Sequence, residues 1–227
     1  MGGLSVYREL ADALEGHGLL LRGGFQAAPD DRLPEGSGTV LMVGNAGPAL
    51  WQVFTQAPEA TDGQPDGLDR WTRRVMHEFA TAFGARPVLP FEGPPYVPFQ
   101  RWAQRAEAVA PSPIGILIHP DYGLWHAYRG ALVFAQALDL PPADKRGRPC
   151  DNCPDAPCLN TCPVGAFTPD GYDVHACATH IGQLDGRECV DGGCLARRAC
   201  PVGTSYQYTP AQASWHMQGF LGATGSG

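Results

Sequence analysis

The stretch Cys150-Asp-Asn-Cys153-Pro-Asp-Ala-Pro-Cys158-Leu-Asn-Thr-Cys162-Pro163 opens a cysteine-rich segment that continues through an isolated Cys177. The segment closes with Cys189-x4-Cys194-x5-Cys200-Pro201. All 8 cysteines of the 227-residue chain lie between positions 150 and 200. Two of the cysteine groups end in Cys-Pro, and the clustering indicates that the thiols of this segment act together.

Iron–sulfur chemistry accounts for this pattern. A cubane [4Fe-4S] cluster is held by four thiolates, and short spacings let one loop supply several of them. Where a chain holds two cubanes, the cysteine before proline at the end of one run ligates the other cluster, which gives two interlocked sets of four. The 8 cysteines suit two such sets. The spacing also leaves open zinc, held by paired C-x2-4-C units, and a disulfide framework or bare thiols.

The cysteine segment resembles bacterial two-cluster ferredoxin domains. It is more similar to the version found in epoxyqueuosine reductase and the corrinoid reductive dehalogenases, where four cysteines are followed by one and then by three. The resemblance implies that one cluster uses Cys150, Cys153, Cys158 and Cys200, and the other Cys162, Cys177, Cys189 and Cys194. That family usually shows C-x2-C-x2-C-x3-C-P, whereas an insert, Pro154–Pro157, separates the second and third cysteines here. The insert is either a rigid turn that leaves the thiolates in place or the mark of a lost or altered cluster.

A second motif lies upstream, in His119-Pro-Asp-Tyr-Gly-Leu-Trp-His-Ala-Tyr-Arg-Gly130. The run I-H-P-x-x-G-x-W-x-x-x-R-G resembles the cobalamin-processing protein of the cobalamin C type, and epoxyqueuosine reductase has a related segment. In those families this region forms a nitroreductase-like α/β domain that binds a corrinoid or sometimes a flavin. The resemblance implies a cofactor pocket near His119, Tyr122, Gly123, Trp125 and Arg129. The alternative is a glycine-centred hairpin whose tryptophan and tyrosine belong to the core.

Apolar periodicity predicts the remaining elements. Gly23-Gly24 is expected to end the first strand, and Gly44–Pro48 to form a turn after the second strand, where backbone N–H groups could meet an anion. The predicted helices cover 4–15, 68–83, 101–109 and 209–221, and the predicted strands cover 19–22, 39–43 and 114–118.

These patterns predict an α+β chain, with a nitroreductase-like α/β sandwich and a small ferredoxin-like domain that its clusters stabilise. The expected domains are a cofactor-binding domain over 1–142, a two-cluster domain over 143–207, and a C-terminal helix and tail over 208–227. A cysteine-rich segment of this size has few large apolar residues, so metal–thiolate bonds rather than burial are expected to stabilise it.

The net charge and the hydropathy of the chain restrict which binding partners are expected. The net charge is −7 and Lys145 is the only lysine, so the chain offers no broad phosphate-binding surface and nucleic acid is not an expected partner. The local basic run Lys145–Arg148 is either a solvated linker or a docking point for an acidic electron donor or for the phosphate of a cofactor. No segment has the 18 or more apolar residues of a membrane span, and the start lacks a secretory signal. We therefore expect a cytoplasmic protein without a membrane partner.

Three functions fit these features. One is a reductase in which two [4Fe-4S] clusters pass single electrons from a donor protein to a corrinoid or flavin, and from it to a small-molecule substrate. Another is a cobalamin carrier or processing protein without an organic substrate, and the third is a plain electron carrier of the ferredoxin type. A zinc-stapled binding protein is the fourth reading if no iron is bound. Glu92 and Tyr96 are the only proton donors near the expected acid position, so the catalytic residues stay unknown.

Overall fold

The computed structural model describes residues 3–224, with side chains from residue 5 onward. Residues 1–2 and 225–227, at the ends of the predicted first domain and tail, lie outside the described residues. Helices and strands are mixed along the chain, which confirms the predicted α+β class. The helices are α1 (Gly3–Glu15), α2 (Ala49–Phe54), α3 (Gly67–Phe83), α4 (Phe99–Ala106), α5 (Pro157–Asn160), α6 (Val174–Ile181), α7 (Arg187–Gly192), α8 (Leu195–Arg198) and α9 (Pro210–Thr224). The strands are β1 (Leu20–Gln26), β2 (Thr39–Ala46), β3 (Arg86–Val88), β4 (Ala110–Pro111), β5 (Leu117–Ile118), β6 (His126–Phe134), β7 (Phe167–Thr168) and β8 (Gly171–Tyr172).

The described chain divides into two compact units. The first unit contains 1–108 and 126–146, and the second contains 109–125 and 147–227. The segment 109–125 therefore belongs with the cysteine-rich part of the chain, although the sequence analysis placed it in the first domain. None of the helices described in residues 3–224 is long and apolar enough to cross a membrane.

An antiparallel sheet of order β1-β2-β6-β3 forms the centre of the first unit. Every residue of β2 is buried, because this strand has a neighbour on each side and apolar residues along most of its length. Helix α3 covers the sheet core with an apolar face that includes Trp71, Val75 and Phe79. It ends at Gly84, which takes the left-handed conformation with φ 66° and donates its N–H to the Ala80 carbonyl.

Two predictions about glycines in this sheet were wrong. Gly23-Gly24 does not end β1, because the pairing with β2 shifts register between Leu21 and Gly24 and then continues, as at a β-bulge. Gly44 is not a turn residue either, since β2 runs on to Ala46. A Cβ at Gly44 would collide with the Ala127 carbonyl oxygen of β6, so the glycine permits close approach of two strands instead of exposing N–H groups to an anion.

The second unit is built from short elements. Strands β4 and β5 form a hairpin, so the predicted strand over 114–118 reduces to Leu117–Ile118 with a turn before it. Its small core contains Ile114, Ile118 and Leu124 together with Cys158 and Cys200. The C-terminal helix α9 packs against α6 and α7. Cysteine side chains thus form part of the core itself.

Candidate functional site

Four cysteine thiols of the second unit line one small, mainly apolar cavity. The apolar part of its wall includes Ile118, Leu124 and Val202. The four cysteines, which we call set one, are Cys150 in the turn Pro149–Asn152, Cys153 directly after it, Cys158 in α5 and Cys200 shortly after α8. Set one contains the same four residues that the family resemblance assigned to one cluster.

The insert between the second and third cysteines forms a tight turn. Asp155 and Ala156 both take positive φ values, 62° and 36°, and Pro157 then begins α5. Proline suits the first position of a helix, because the N–H that it lacks would have no partner there. The turn reverses the chain, so Cys158 lines the same cavity as Cys150. Of the two interpretations of the insert, a rigid turn or a lost cluster, this geometry matches the rigid turn.

The thiols of set one influence one another electrostatically. Burial raises the pKa of Cys158, and the negative charges of Cys200, Cys150 and Cys153 raise it further. Burial also raises the pKa of Cys150, while the nearby Arg148 guanidinium opposes that effect. Because metals bind the thiolate, a metal centre here must displace thiol protons when it forms.

The other four cysteines form a second group, set two, within the same unit. It comprises Cys162, Cys177 in α6, Cys189 in α7 and Cys194 at the start of α8. The pKa of Cys189 is raised by burial and by the charges of Cys177 and Cys162, and the pKa of Cys194 by burial and by the charges of Cys189 and Cys177. Ala166 donates its backbone N–H to the Cys162 Sγ at 3.4 Å. The four residues of the second implied ligand set are therefore close enough to influence one another's charge.

The donor set of set one fits an iron–sulfur cluster. Among residues 3–224, no three His, Cys, Asp or Glu side chains are arranged to hold a metal ion. The thiols of set one instead surround a cavity. A cubane cluster has four irons that each take one thiolate, so it requires thiols around a volume rather than around a point.

A loop of the second unit carries four of the five residues of the predicted cofactor pocket. This loop, the His119 loop (residues 119–125), is closed by paired backbone hydrogen bonds between His119 and Gly123. His119 is only 5% exposed, and its ring stacks on Tyr122 with ring centroids 4.3 Å apart. Its Nδ1 accepts the backbone N–H groups of Asp121 at 3.0 Å and Tyr122 at 3.2 Å. A neutral His119 therefore carries its proton on Nε2, where it can donate a hydrogen bond.

Two glycines let the His119 loop pack directly on the chain that follows set one. Gly123 has φ 57°, and a Cβ there would collide with the Val202 carbonyl oxygen. Gly203 has φ 71°, and a Cβ there would collide with the Tyr122 backbone. Tyr206, just beyond, meets the Tyr122 ring edge to face at 4.9 Å. The loop and the Cys200 segment thus share a backbone-to-backbone contact that tolerates no side chain.

Arg197 makes a second attachment between the His119 loop and the cysteine segment. Its guanidinium donates to the Leu124 carbonyl oxygen through Nε at 3.0 Å and Nη2 at 2.5 Å. The same guanidinium lies 4.6 Å from the ring centroids of both Trp125 and Tyr208. Because Arg197 belongs to α8, between Cys194 and Cys200, it joins the loop to an element that connects the two cysteine sets.

The fifth predicted pocket residue, Arg129, lies on β6 in the first unit. It interacts there with Asp69, whose pKa is raised by burial and lowered by the Arg129 charge. Four of the predicted pocket residues therefore lie together on one loop: His119, Tyr122, Gly123 and Trp125. Arg129 belongs to the other unit. Trp125 is buried and its indole N–H has no hydrogen-bond partner among the described residues.

The residues considered as acids are on the surface of the first unit. Glu92 forms an ion pair with Arg73 at 3.0 Å, and both side chains are close to half exposed. Tyr96 is 56% exposed. Both groups are open to solvent, so the geometry assigns no acid role to either.

Sequence reasoning missed a buried charged network in the first unit. Arg22 is 1% exposed and forms an ion pair with Glu107 at 2.5 Å. Tyr128 donates its hydroxyl to Glu107 at 2.5 Å, and its pKa is raised mainly by burial. Arg22 also lies 3.3 Å from the His126 Nδ1. The only sequence signal was a charged residue within a buried strand, which by itself does not name a partner.

Comparisons with known proteins find similarity in structure alone. No family model and no curated protein matches the sequence. The fold is similar to epoxyqueuosine reductase from Streptococcus thermophilus, with a TM-score of 0.56 and 14% identity over 92% of this chain and 70% of that chain. It is also similar to epoxyqueuosine reductase solved with a tRNA-Tyr stem loop, with a TM-score of 0.54 and 14% identity over 92% of this chain and 68% of that one. The B12-trafficking protein CblC of C. elegans gives a TM-score of 0.54 and 13% identity over 94% of this chain and 92% of that chain. The predicted similarity in fold to epoxyqueuosine reductase and to the cobalamin C type is confirmed.

Proposed function

We propose that this chain is an iron–sulfur protein with two [4Fe-4S] clusters that acts as a reductase at a bound corrinoid. The observation that carries the proposal is the grouping of the thiols, with set one around a single cavity and set two gathered separately. In this proposal the first unit is nitroreductase-like and the second is ferredoxin-like. When bound, the clusters would supply single electrons, and the cysteines would hold them without acting as nucleophiles.

The protein's own residues would position and shield the cofactors. The His119 loop would meet the corrinoid, where His119 can donate a hydrogen bond through Nε2 and Tyr122 supplies an aromatic face. Flavin is the second candidate for the same place, and the role of Arg129 rests on the family resemblance alone. Arg197 would keep the loop fixed relative to the cysteine segment. An electron-donor protein in the cytoplasm completes the proposal, and the acidic balance of the chain gives no reason to add a nucleic acid partner.

A second function is favoured by one specific observation. Glu92 is paired with Arg73 at the surface and Tyr96 is exposed, so neither of these two residues is placed as an acid for an organic substrate. A protein that reduces and hands on a corrinoid needs no such acid. We therefore keep cobalamin processing without an organic substrate as the alternative, and it shares the clusters and the His119 loop with the first proposal.

Metal analysis of anaerobically purified protein tests the proposal. We expect about eight iron and eight acid-labile sulfide per chain, since each cubane contains four of each. About four of each would mean that one set is not a cluster site, and stoichiometric zinc without iron would leave a zinc-stapled binding protein.

Cluster-loaded protein is then titrated with hydroxocobalamin and, separately, with flavin mononucleotide. Binding of neither would leave a plain electron carrier, and turnover of an epoxide or halogenated compound would distinguish a reductase from a processing protein.

A further inference from the structure

Ser112 lies at the turn between β4 and β5 and is only 8% exposed. Its backbone is fully engaged in that turn, because its N–H donates to the Ile116 carbonyl at 2.9 Å and its carbonyl accepts the Gly115 N–H at 3.0 Å. Its hydroxyl, however, has no hydrogen-bond partner within the part of the chain that the structure describes. The Ser112 hydroxyl is thus a buried polar group without a hydrogen-bond partner among the described residues, although the backbone of the same residue is fully hydrogen-bonded.

Ser112 belongs to the wall of the cavity that set one lines. Its apolar neighbours in that wall, Pro113, Ile118 and Leu124 among them, offer no acceptor side chain, and the described cysteine sulfurs make no hydrogen bond with its hydroxyl. A buried hydroxyl without a partner costs free energy, and nearly all buried polar groups in native proteins are hydrogen-bonded. The missing acceptor is therefore to be sought inside the cavity, and the sulfurs of a cluster are acceptors.

We infer that the Ser112 hydroxyl donates a hydrogen bond to a sulfur of the cluster held by set one and raises the reduction potential of that cluster. The inference rests on the proposed function, because it requires a cluster in the cavity. A hydrogen bond to a sulfur stabilises the added negative charge of the reduced state, and such bonds are among the factors that set cluster potentials. Set two provides an internal reference, since its described sulfur contact from Ala166 comes from the backbone and is not altered by a change at Ser112.

The test is Ser112→Ala in cluster-loaded protein, with reduction followed by electron paramagnetic resonance during a potentiometric titration. We expect one of the two midpoint potentials to fall while the other stays at its wild-type value. A tenfold loss in the equilibrium constant for reduction corresponds to about 59 mV for one electron. Iron and sulfide contents should match those of the wild type.

A matched pair separates the hydrogen bond from packing. Ser112→Thr keeps a hydroxyl, and Ser112→Val has nearly the same shape without one. We expect the threonine variant to keep the wild-type potential and the valine variant to shift as alanine does. If alanine and valine lose iron while threonine keeps it at the wild-type potential, the hydroxyl contact is also supported.

Several results would overturn the inference. These are unchanged potentials in Ser112→Ala, equal shifts in both clusters, or identical behaviour of the threonine and valine variants, including loss of iron in both. Unchanged potentials would mean that the hydroxyl bonds to an ordered water and not to the cluster. Absence of iron from the wild-type chain would overturn the proposed function itself. That measurement uses no variant, so the two failures can be told apart.

Discussion

At the scale of single residues, the buried pair Arg22–Glu107 is expected to matter more than any surface pair. Replacing Glu107 by Gln removes the carboxylate charge that pairs with the buried Arg22 guanidinium, so we expect the free energy of unfolding to fall by about 3 kcal/mol or more. The control is Glu92→Gln, which breaks the exposed pair with Arg73 and should cost about 0–1 kcal/mol. Urea unfolding followed by tryptophan fluorescence measures both. Equal losses would contradict the importance of burial.

Gly123 allows a second residue-scale prediction, because the chain contains a matched glycine. Gly123 and Gly115 both have positive φ, 57° and 83°, but only Gly123 has backbone where a Cβ would lie. Gly115→Ala should cost about 1–2 kcal/mol, which is the usual penalty of the left-handed conformation. Gly123→Ala should cost clearly more and lower the iron content, since Val202 must move. Equal thermal stability and iron content in the two variants would show that the close approach is unimportant.

Sequence reasoning at this scale identified residue types better than their roles. The spacing motifs located the cysteines and His119, since thiol ligands and the I-H-P run have recognisable patterns. It misassigned Gly44, because a turn and a close strand contact both require glycine and only the partner strand distinguishes them. The partners of Arg22 could not be predicted for a similar reason, since Glu107 and Tyr128 are distant from it in sequence.

At the scale of elements, helix α8 carries the attachment of the His119 loop. Arg197→Gln removes a guanidinium that donates twice to the Leu124 carbonyl and lies over two aromatic rings, so we expect a loss of about 1–3 kcal/mol in the second unit. The neighbouring Arg198→Gln is the control, because Arg198 makes one exposed contact with Glu188 at 3.4 Å. Hydrogen exchange over residues 119–125 should accelerate in the first variant only. Acceleration in both, or in neither, would contradict the attachment.

Periodicity predicted the long elements and failed on the short ones. Helices α1 and α3 and strand β2 have enough residues for an apolar pattern to repeat, and each lies where the sequence indicated. The apolar run 114–118 looked like one strand, but Gly115 adopts positive φ and breaks it into a turn and a two-residue strand. Such a division depends on which backbone groups find partners, and hydropathy does not report that.

At the scale of the whole molecule, the two units are expected to respond differently to loss of iron. The first unit has a large apolar core, whereas the core of the second includes cysteine side chains. Oxidation and chelation of cluster-loaded protein should therefore remove hydrogen-exchange protection from 109–125 and 147–224 and leave that of 20–106 largely intact. Re-formation of the clusters should restore protection. Loss of protection in both units, or in neither, would contradict this division.

The division into units was also the least predictable feature. The family resemblance over residues 20–142 and the cysteines that begin at residue 150 suggested a boundary near residue 142, and the His119 loop was counted with the first domain. The structure assigns that loop to the second unit, since its partners Arg197, Val202 and Tyr206 come after the cysteines. The order of motifs along a sequence does not show which parts fold together, because long-range contacts decide that.

The attachment of the His119 loop to Arg197 also affects the order of folding during synthesis. Leu124 precedes its partner Arg197 by 73 residues, which a ribosome adds in roughly 4 to 15 s at about 5–20 residues per second. During that interval the His119 loop emerges from the ribosome without the residues that hold it. The loop can therefore reach its final position only after synthesis has passed Arg197.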